Sequence, residues 1–108
     1  MNILATKKCI PCEAGEPSLA TDRINEYLPL VPAWKLNQAG HLFKSWKFKN
    51  YKQAWDFVNQ VSEIAETESH HPNISFTWGK VEIELWTHAV RGLSDNDFIL
   101  AAKIDSLK

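Results

Sequence analysis

Two segments of alternating apolar and polar residues flank one long segment with helical periodicity, and this order constrains the fold most. Between Ala33 and Lys49, aromatic and aliphatic residues interleave with polar ones around a break at residues 38–40. This pattern predicts two antiparallel strands joined by a tight turn. From Ile74 to His88 the chain alternates again around Gly79, which predicts a second hairpin. The expected packing residues of the first hairpin are Trp34, Leu36, Leu42, Trp46 and Phe48.

The segment from Tyr51 to Ser69 carries apolar residues at three- and four-residue spacing, which is the signature of an amphipathic helix. These residues are Ala54, Trp55, Val58, Val61 and Ala65. Pro72 cannot continue the helix, and it biases the residue before it toward an extended conformation. His70 and His71 are therefore predicted to lie at a helix-to-strand junction.

A helix is also predicted near each end of the chain. The first can be capped by Ser18 or Thr21 and is ended by Pro29 and Pro32. The last can begin after a Ser94 cap. Its apolar residues are Phe98, Leu100, Ala101, Ile104 and Leu107. The predicted order is α-β-β-α-β-β-α, and the two hairpins would form one four-stranded antiparallel sheet with helices packed on one face, an α+β architecture.

Composition and charge exclude several classes of protein. The 108 residues are 44% apolar and 23% charged, as in one ordinary globular domain. A net charge of −1 without a Lys/Arg block argues against nucleic acid or an anionic membrane as partner. The apolar stretches are shorter than the roughly 20 residues that span a bilayer, and the N-terminus lacks the apolar run of a signal peptide. We therefore expect a cytoplasmic protein.

The only two cysteines, Cys9 and Cys12, form a C-x-x-C pair within residues 1–17, which we expect to be an irregular extension of a domain over residues 18–108. Such a pair can be redox-active or can supply half of a zinc site. Redox pairs usually open a helix in a βαβ unit, and structural zinc needs four ligands. The simplest interpretation is that Cys9 and Cys12 are reducible thiols in a loosely ordered segment. A redox role and a zinc-binding role stay open as alternatives.

A cluster of histidines and carboxylates follows the central helix. Its members are Glu66, His70, His71, His88 and Asp97. Imidazole has an unperturbed pKa of about 6.5, so such a cluster can both take and give protons near neutral pH. The cluster therefore predicts an acid–base site.

Each of these residues also has a structural explanation. Glu66 lies four residues before His70, so the two can form an ordinary helix side-chain pair. Asp97 lies three residues after Ser94, which is the spacing of a capping box. A capping carboxylate at a helix N-terminus can also orient a histidine. A lone His88 on the polar face of a strand would ordinarily be a surface residue.

A metal site is the main chemical alternative. Zinc or iron could be held by Glu66, His88 and one of His70 and His71. Neighbours in an extended turn point in different directions, which argues for two separate ligand contacts rather than one shared ion. We therefore predict that the site holds no metal. His41, in the first hairpin turn, has no partner in the sequence and is assigned to the surface.

The spacing of the cluster resembles that of the pterin-4a-carbinolamine dehydratase family. The pattern is Glu, three residues, His-His-Pro, five residues, an aromatic residue, nine residues, His, eight residues and Asp. The matching positions are Glu66, His70, His71, Pro72, Trp78, His88 and Asp97. The similarity runs from about Ser18 into the last helix and includes the Gly-Leu-Ser-x-x-Asp run that begins at Gly92, but not the first 17 residues.

The resemblance implies dehydration of a 4a-hydroxytetrahydropterin, the product of aromatic amino-acid hydroxylases, to the quinonoid dihydropterin, with no cofactor. It implies that His70, His71 and His88 form the acid, base and pterin-binding set. Glu66 and Asp97 would orient histidines or hold the protonated ring. The resemblance also implies the α+β fold and a homodimer or homotetramer.

Two further implications concern the tryptophans and a rival function. Trp78 and Trp86 can flank a flat pterin, although core packing is the expected use of Trp78. The resemblance also implies that some members of the family act as dimerisation partners of transcription factors or as assembly factors, sometimes with a degraded site. Here every histidine of the pattern is present, which favours the enzyme. A hydroxylase encoded beside this protein would favour pterin recycling, whereas a neighbour for carbon fixation or molybdenum cofactor would favour another role.

Overall fold

The computed structural model describes residues 3–10 and 14–107. Within them, three α-helices and four β-strands follow the predicted order. They are α1 (Thr21–Tyr27), β1 (Lys35–Leu36), β2 (Leu42–Lys47), α2 (Tyr51–Glu68), β3 (Asn73–Thr77), β4 (Lys80–Leu85) and α3 (Asp95–Asp105). Short 3₁₀ turns lie at Ile3–Thr6, Leu28–Leu30 and His88–Val90. In this described part of the chain, no helix is long and apolar enough to cross a lipid bilayer.

The four strands form one antiparallel sheet in the order β1-β2-β4-β3. The central strands β2 and β4 pair Leu42 with Leu85 and Trp46 with Val81. Because side chains alternate along a strand, β4 turns Val81, Ile83 and Leu85 to one face, where all three are fully buried. Residues of α2 and α3 share one core with that face. The predicted single sheet and α+β class are confirmed.

The central helix α2 begins at Asn50, whose side chain accepts a hydrogen bond from the backbone N–H of Gln53 at 2.9 Å. Its buried residues are Ala54, Phe57, Val61 and Ala65. Trp55, which we expected in the core, is instead 48% exposed. It lies one residue, about 100°, around the helix from the buried Ala54, so it points away from the sheet. Phe57 occupies the core position instead.

The last helix, α3, is buried along most of its length. Phe98, Leu100 and Ile104 are fully buried. The predicted capping box is present, because the Ser94 side chain accepts from the helix backbone and the Asp97 carboxylate accepts from the Ser94 backbone N–H at 2.9 Å. The start of this helix is therefore fixed by the residues that we expected to fix it.

The first helix and the first hairpin differ from the prediction. The N-cap residue of α1 is Ala20, which has no side-chain oxygen, so the prediction of a Ser18 or Thr21 cap is wrong. The helix gives way to a 3₁₀ turn that contains Pro29, in keeping with the predicted stop. β1 has only two residues at the edge of the sheet, and Leu36 in it is therefore exposed rather than packed.

Residues 3–10 of the N-terminal segment, which we expected to be an irregular extension, pack against α3. A 3₁₀ turn over Ile3–Thr6 places Leu4 in the core, where it is 1% exposed. The Lys103 ammonium on α3 donates to the backbone carbonyl of Ala5 at 2.9 Å. Residues that precede the first α-helix therefore contribute to the same core as the sheet and helices.

Candidate active site

The position of His70 is set by the way in which α2 ends. Ser69 adopts the left-handed conformation, with a φ of 53°, and stops the helix. The backbone N–H of His70 donates to the carbonyl of Ala65 at 3.1 Å, and that of Ser69 donates to the carbonyl of Glu66 at 3.3 Å. These two bonds make a Schellman motif. The motif fixes the backbone of His70 relative to the last turn of the helix.

Asp97 is the buried partner of His70. The Asp97 side chain is fully buried and the His70 side chain is 11% exposed. Asp97 Oδ1 lies 2.6 Å from His70 Nε2. Asp97 Oδ2 accepts from the Thr87 hydroxyl at 2.8 Å and from the Ser94 backbone N–H at 2.9 Å. These hydrogen bonds satisfy a carboxylate that burial would otherwise strongly destabilise.

The hydrogen bonds around Asp97 indicate where the protons lie. An ionised carboxylate only accepts, so Thr87 donates its one hydroxyl hydrogen to Asp97. The Ser94 hydroxyl, 2.7 Å from that of Thr87, must then donate to Thr87. By the same argument His70 carries hydrogen on Nε2, and in the neutral ring this leaves Nδ1 as an acceptor. Among the residues that the structure describes, Nδ1 of His70 has no hydrogen-bond partner.

His71 has a different partner from His70. Its Nε2 lies 2.8 Å from Glu66 Oε1, and both side chains are exposed. The alternative in which Glu66 pairs with His70 is not formed, because the helix stops at Ser69 and His70 no longer lies one helical turn above Glu66. An exposed pair of this kind contributes little to stability. The two adjacent histidines have separate partners, in keeping with their predicted divergence.

The third histidine, His88, contacts an indole rather than a carboxylate. It begins the 3₁₀ turn after β4, is exposed, and its ring centroid lies 4.7 Å from that of Trp86. His41 stacks on Trp86 at 4.4 Å with 8° between the ring planes, and its Nδ1 lies 2.7 Å from Glu84 Oε2. The expectation that His41 has no partner is wrong. Pairing of β2 with β4 joins residues that are 43 apart in the chain, which no local pattern indicates.

A depression of about 270 Å³ lies beside His70. Its lining residues are Ile10, Glu68, Ser69, His70, Thr87, Ala89 and Asn96. His71 and His88 are not among these described lining residues, so the three predicted histidines do not share this depression. A larger depression of about 740 Å³ lies between the N-terminal segment and α3. We take the depression at His70 as the candidate site because polar groups converge there, and size alone does not identify an active site.

Pro72 and Trp78 lie at opposite ends of β3. Pro72 precedes the strand and is partly buried. Trp78 is 64% exposed, so the expected core packing of its ring is wrong. It lies in the turn between β3 and β4, where strand alternation no longer directs side chains toward the core. The second ring expected to flank a pterin, Trp86, contacts His41 and His88.

Metal and thiol chemistry were the open alternatives. Among the described residues, no three His, Cys, Asp or Glu side chains are grouped so that they could hold a metal ion. Burial, reinforced by the charge of Glu68, raises the pKa of the Cys9 thiol to about 12. Since the thiolate is the reactive and metal-binding form, we expect the Cys9 thiol to react slowly at neutral pH. Cys12 lies outside the described residues, and the metal-free site stays a prediction.

Two polar residues of the site were not predicted as such. Thr87 lies two residues beyond β4 and is buried like Leu85, and a buried polar residue needs a hydrogen-bond partner. The alternation of β4 could have indicated that Thr87 has a buried partner, but not that this partner is Asp97. The Asn96 side chain donates to the carbonyl of Ile10 at 2.5 Å and accepts from its N–H at 2.9 Å. No sequence pattern indicates this contact, because Asn96 and Ile10 are 86 residues apart.

Known proteins share this arrangement of sequence and fold. The sequence profile of the family described as pterin 4 alpha carbinolamine dehydratase matches residues 17–107. The chain belongs to this dehydratase family. A relative from Rickettsia canadensis (strain McKiel), provisionally named a pterin-4-alpha-carbinolamine dehydratase, is 50% identical over 107 residues, which cover 98% of each chain. That match includes the N-terminal segment, most of which precedes the family profile.

Two solved structures of the dehydratase type have the same fold. One, described as a transcriptional coactivator/pterin dehydratase from Brucella melitensis, superposes with a TM-score of 0.78 at 27% identity and covers 83% of this chain and 97% of its own. The other, described as a pterin dehydratase-like protein that is a RuBisCO assembly factor in the alpha-carboxysome, has a TM-score of 0.59 at 27% identity, covering 69% and 88%. The fold is thus described in both an enzyme and an assembly factor.

Proposed function

We propose that this protein is a hydro-lyase that dehydrates a 4a-hydroxytetrahydropterin to the quinonoid dihydropterin by histidine acid–base catalysis. The observation that carries the proposal is the pair formed by His70 and the fully buried Asp97, 2.6 Å apart, beside an open depression. A buried carboxylate that fixes one imidazole nitrogen leaves the other nitrogen to exchange a proton with a ligand. Membership of the dehydratase family supplies the substrate class.

The reaction requires two proton transfers and no change of oxidation state. The bond between C4a and the hydroxyl oxygen breaks, and its electron pair leaves with the oxygen. That oxygen takes up one proton and departs as water. A pterin ring nitrogen gives up one proton, and an electron pair of that nitrogen forms the new C=N bond at C4a. Neutral-range imidazoles can serve both transfers without a cofactor, and such acid–base help is worth roughly 10²–10⁴-fold in rate.

The tautomer of His70 favours it as the base. Its Nδ1 accepts the ring proton, and the resulting imidazolium is stabilised by Asp97 at 2.6 Å. Proton donation to the departing hydroxyl then falls to His71 or His88, both of which are exposed to an approaching ligand. Glu66, 2.8 Å from His71, orients that imidazole. Pro72 directly follows His71, whereas Trp78 lies at the far end of β3 from these groups.

The cellular role that we infer follows from the reaction product, the quinonoid dihydropterin. We infer that the protein recycles tetrahydropterin for an aromatic amino-acid hydroxylase in the cytoplasm, and that it works as a homodimer or homotetramer. Exposed aromatic side chains support self-association, since Tyr51 and Phe76 pack against each other at 5.2 Å on the surface and Trp55 is exposed nearby on α2. Light scattering after gel filtration measures the oligomer directly, and a monomer would contradict this part.

The activity is tested by generating the 4a-hydroxytetrahydropterin with an unrelated phenylalanine hydroxylase and following its ultraviolet decay. We expect the protein to accelerate the decay by the same factor before and after treatment with a chelator. Loss of acceleration on chelation would instead support the metal-dependent alternative. No acceleration by folded protein would contradict dehydratase activity toward this substrate.

A second function, as an assembly or coactivator scaffold, is favoured by one observation: the likeness to the carboxysome assembly factor. A scaffold would not depend on the histidines. If the His70→Ala variant lost dehydration but kept the oligomeric state and all partner binding, the two roles would be separable. Binding without any dehydration by the wild-type protein would favour the scaffold alone.

A further inference from the structure

Two aromatic rings stack across the ends of the central strands. β2 and β4 pair Leu42 with Leu85, so the next residues outward in this antiparallel ladder, His41 and Trp86, are also cross-strand neighbours. Their ring planes are 8° apart and their centroids 4.4 Å apart. The family pattern includes neither residue. The stack therefore needs an explanation outside that pattern.

His41 is itself held in place by a hydrogen bond to a carboxylate. Its Nδ1 lies 2.7 Å from Glu84 Oε2, and the same oxygen accepts from the Asn37 amide at 2.8 Å. These two hydrogen bonds lower the pKa of Glu84, so the carboxylate is charged at neutral pH. The His41 side chain is 19% exposed, which leaves its ring little freedom. His41 is thus a fixed support for the indole.

The indole in turn contacts His88, with ring centroids 4.7 Å apart and planes at 49°. Thr87, between Trp86 and His88, is tied to Asp97 by its hydroxyl at 2.8 Å. The backbone of this segment is therefore anchored on the buried side of the sheet. The exposed His88 ring has no such anchor, since its ring contact in the described chain is Trp86.

We propose that His41 is a positioning residue for His88 and acts through Trp86. The inference rests on the proposed function, in which His88 exchanges a proton with or binds the pterin. With this role for His41, each of the three histidines has a partner that limits its orientation. The partner is the buried Asp97 for His70, the exposed Glu66 for His71, and the indole of Trp86, supported by His41, for His88. His41 touches neither the substrate nor the reacting atoms in this scheme.

The first arm of the test compares the steady-state kinetics of three variants with those of the wild type. His41→Ala removes the stacked ring, and we expect kcat to fall by about tenfold to a hundredfold, because small misplacements of a reacting group have effects of this size. His41→Phe keeps a flat ring against Trp86 and should restore most of kcat. Gln38→Ala, an exposed residue of the same turn, is the matched control and should match the wild type.

The second arm does not depend on activity. The imidazole proton resonances of His88, assigned by their loss in His88→Gln, feel the ring current of Trp86. His41→Ala should shift them, and His41→Phe should leave them close to their wild-type positions. Unshifted resonances in His41→Ala would overturn the proposal, whether or not the wild type is active. An unchanged kcat in His41→Ala of an active enzyme would overturn it as well.

The kinetic and the resonance measurements distinguish failure of the proposed dehydratase activity from failure of the proposed role of His41. If the wild-type protein does not accelerate the dehydration, the proposed function fails, and the resonance shifts still decide whether His41 positions His88. If His41→Ala does not fold, a Trp86→Leu variant replaces it in both measurements. Because Trp86 is the ring in contact with His88, this variant should also shift the His88 resonances and lower kcat. A normal kcat or unshifted resonances in that variant would overturn the proposal.

Discussion

At the scale of single residues, Asp97 joins three parts of the structure. It completes the capping box of α3 through the Ser94 N–H, binds the Thr87 hydroxyl and holds His70 Nε2. A fully buried carboxylate is stable only when its hydrogen-bond partners are in place. The same residue that starts the last helix therefore also sets the tautomer of the proposed base. Folding of α3 and assembly of the site depend on one side chain.

Cys9 gives a prediction about reactivity. Its thiol pKa of about 12, against 9.0 for an unperturbed thiol, makes the fraction of thiolate at pH 8 roughly a thousandfold smaller than for a free thiol. In a Cys12→Ser background, iodoacetamide should therefore alkylate Cys9 far more slowly in native protein than in protein unfolded by guanidinium. The raised pKa also implies that the free energy of unfolding falls as the pH rises from about 9 toward 12. In this range the Cys9 thiol ionises in the unfolded chain but not in the folded protein, which favours the unfolded chain.

Mass spectrometry of quenched samples follows the alkylation. Equal rates in the native and unfolded protein would contradict the buried, protonated thiol. Such a result would also reopen redox chemistry at the cysteine pair.

At the scale of elements, the end of α2 matters most for the site. Ser69 takes the left-handed conformation that favours glycine, at φ 53°, and the Schellman bonds then direct His70 toward Asp97. A non-glycine residue in this region is disfavoured by contact of its Cβ with the backbone. The element that places the histidine therefore carries a small local strain.

Replacing Ser69 with Gly should relieve this strain. We expect the free energy of unfolding to rise by about 0.5–1 kcal/mol, measured by urea denaturation. Ser62→Gly, at an exposed position inside α2, is the matched control and should lower stability by about 0.5 kcal/mol, because Gly disfavours helix interiors. A loss of stability in Ser69→Gly equal to that of the control would contradict the assigned left-handed cap.

The sequence predicted correctly those features that depend on a single helix or strand. It did not predict the features that depend on how several helices and strands pack together. Alternation along β4 placed Val81 and Ile83 on the buried face, and Ser94 with Asp97 formed the expected cap. Trp55 was misplaced because helical spacing alone did not decide which of two adjacent apolar stripes faces the sheet. The contact of His41 with Glu84 arises only from strand pairing, which the spacing of residues does not reveal.

At the scale of the whole molecule, residues 3–10 of the N-terminal segment belong to the fold. Leu4 is 1% exposed within the common core, and the Ile10 backbone is held by two hydrogen bonds to the buried Asn96 side chain. Cys9 N–H donates to Glu68 Oε1 at 2.8 Å. Both Ile10 and Glu68 line the depression at His70. Of residues 3–10, Ile10 therefore contributes to the wall of the candidate site and Leu4 to the core.

This packing predicts an unequal effect of two neighbouring substitutions. Leu4→Ala should lower the free energy of unfolding by about 2–4 kcal/mol, because it leaves a cavity in the core. Ile3→Ala, at a residue that is 64% exposed, should change it by less than about 0.5 kcal/mol. Urea denaturation of both variants measures the difference. Equal, small effects would mean that the segment does not pack against α3 in solution.

The central claim is that Asp97 fixes His70 as the base, and Asp97→Asn tests it most directly. The Asn oxygen must accept from Thr87 and from the Ser94 N–H, so its NH₂ group faces His70 and forces hydrogen onto Nδ1. In the 4a-hydroxytetrahydropterin decay assay we expect kcat to fall by roughly 10²–10⁴-fold. Asp56→Asn, at an exposed residue of α2, should match the wild type. A folded Asp97→Asn protein with wild-type kcat would contradict the account.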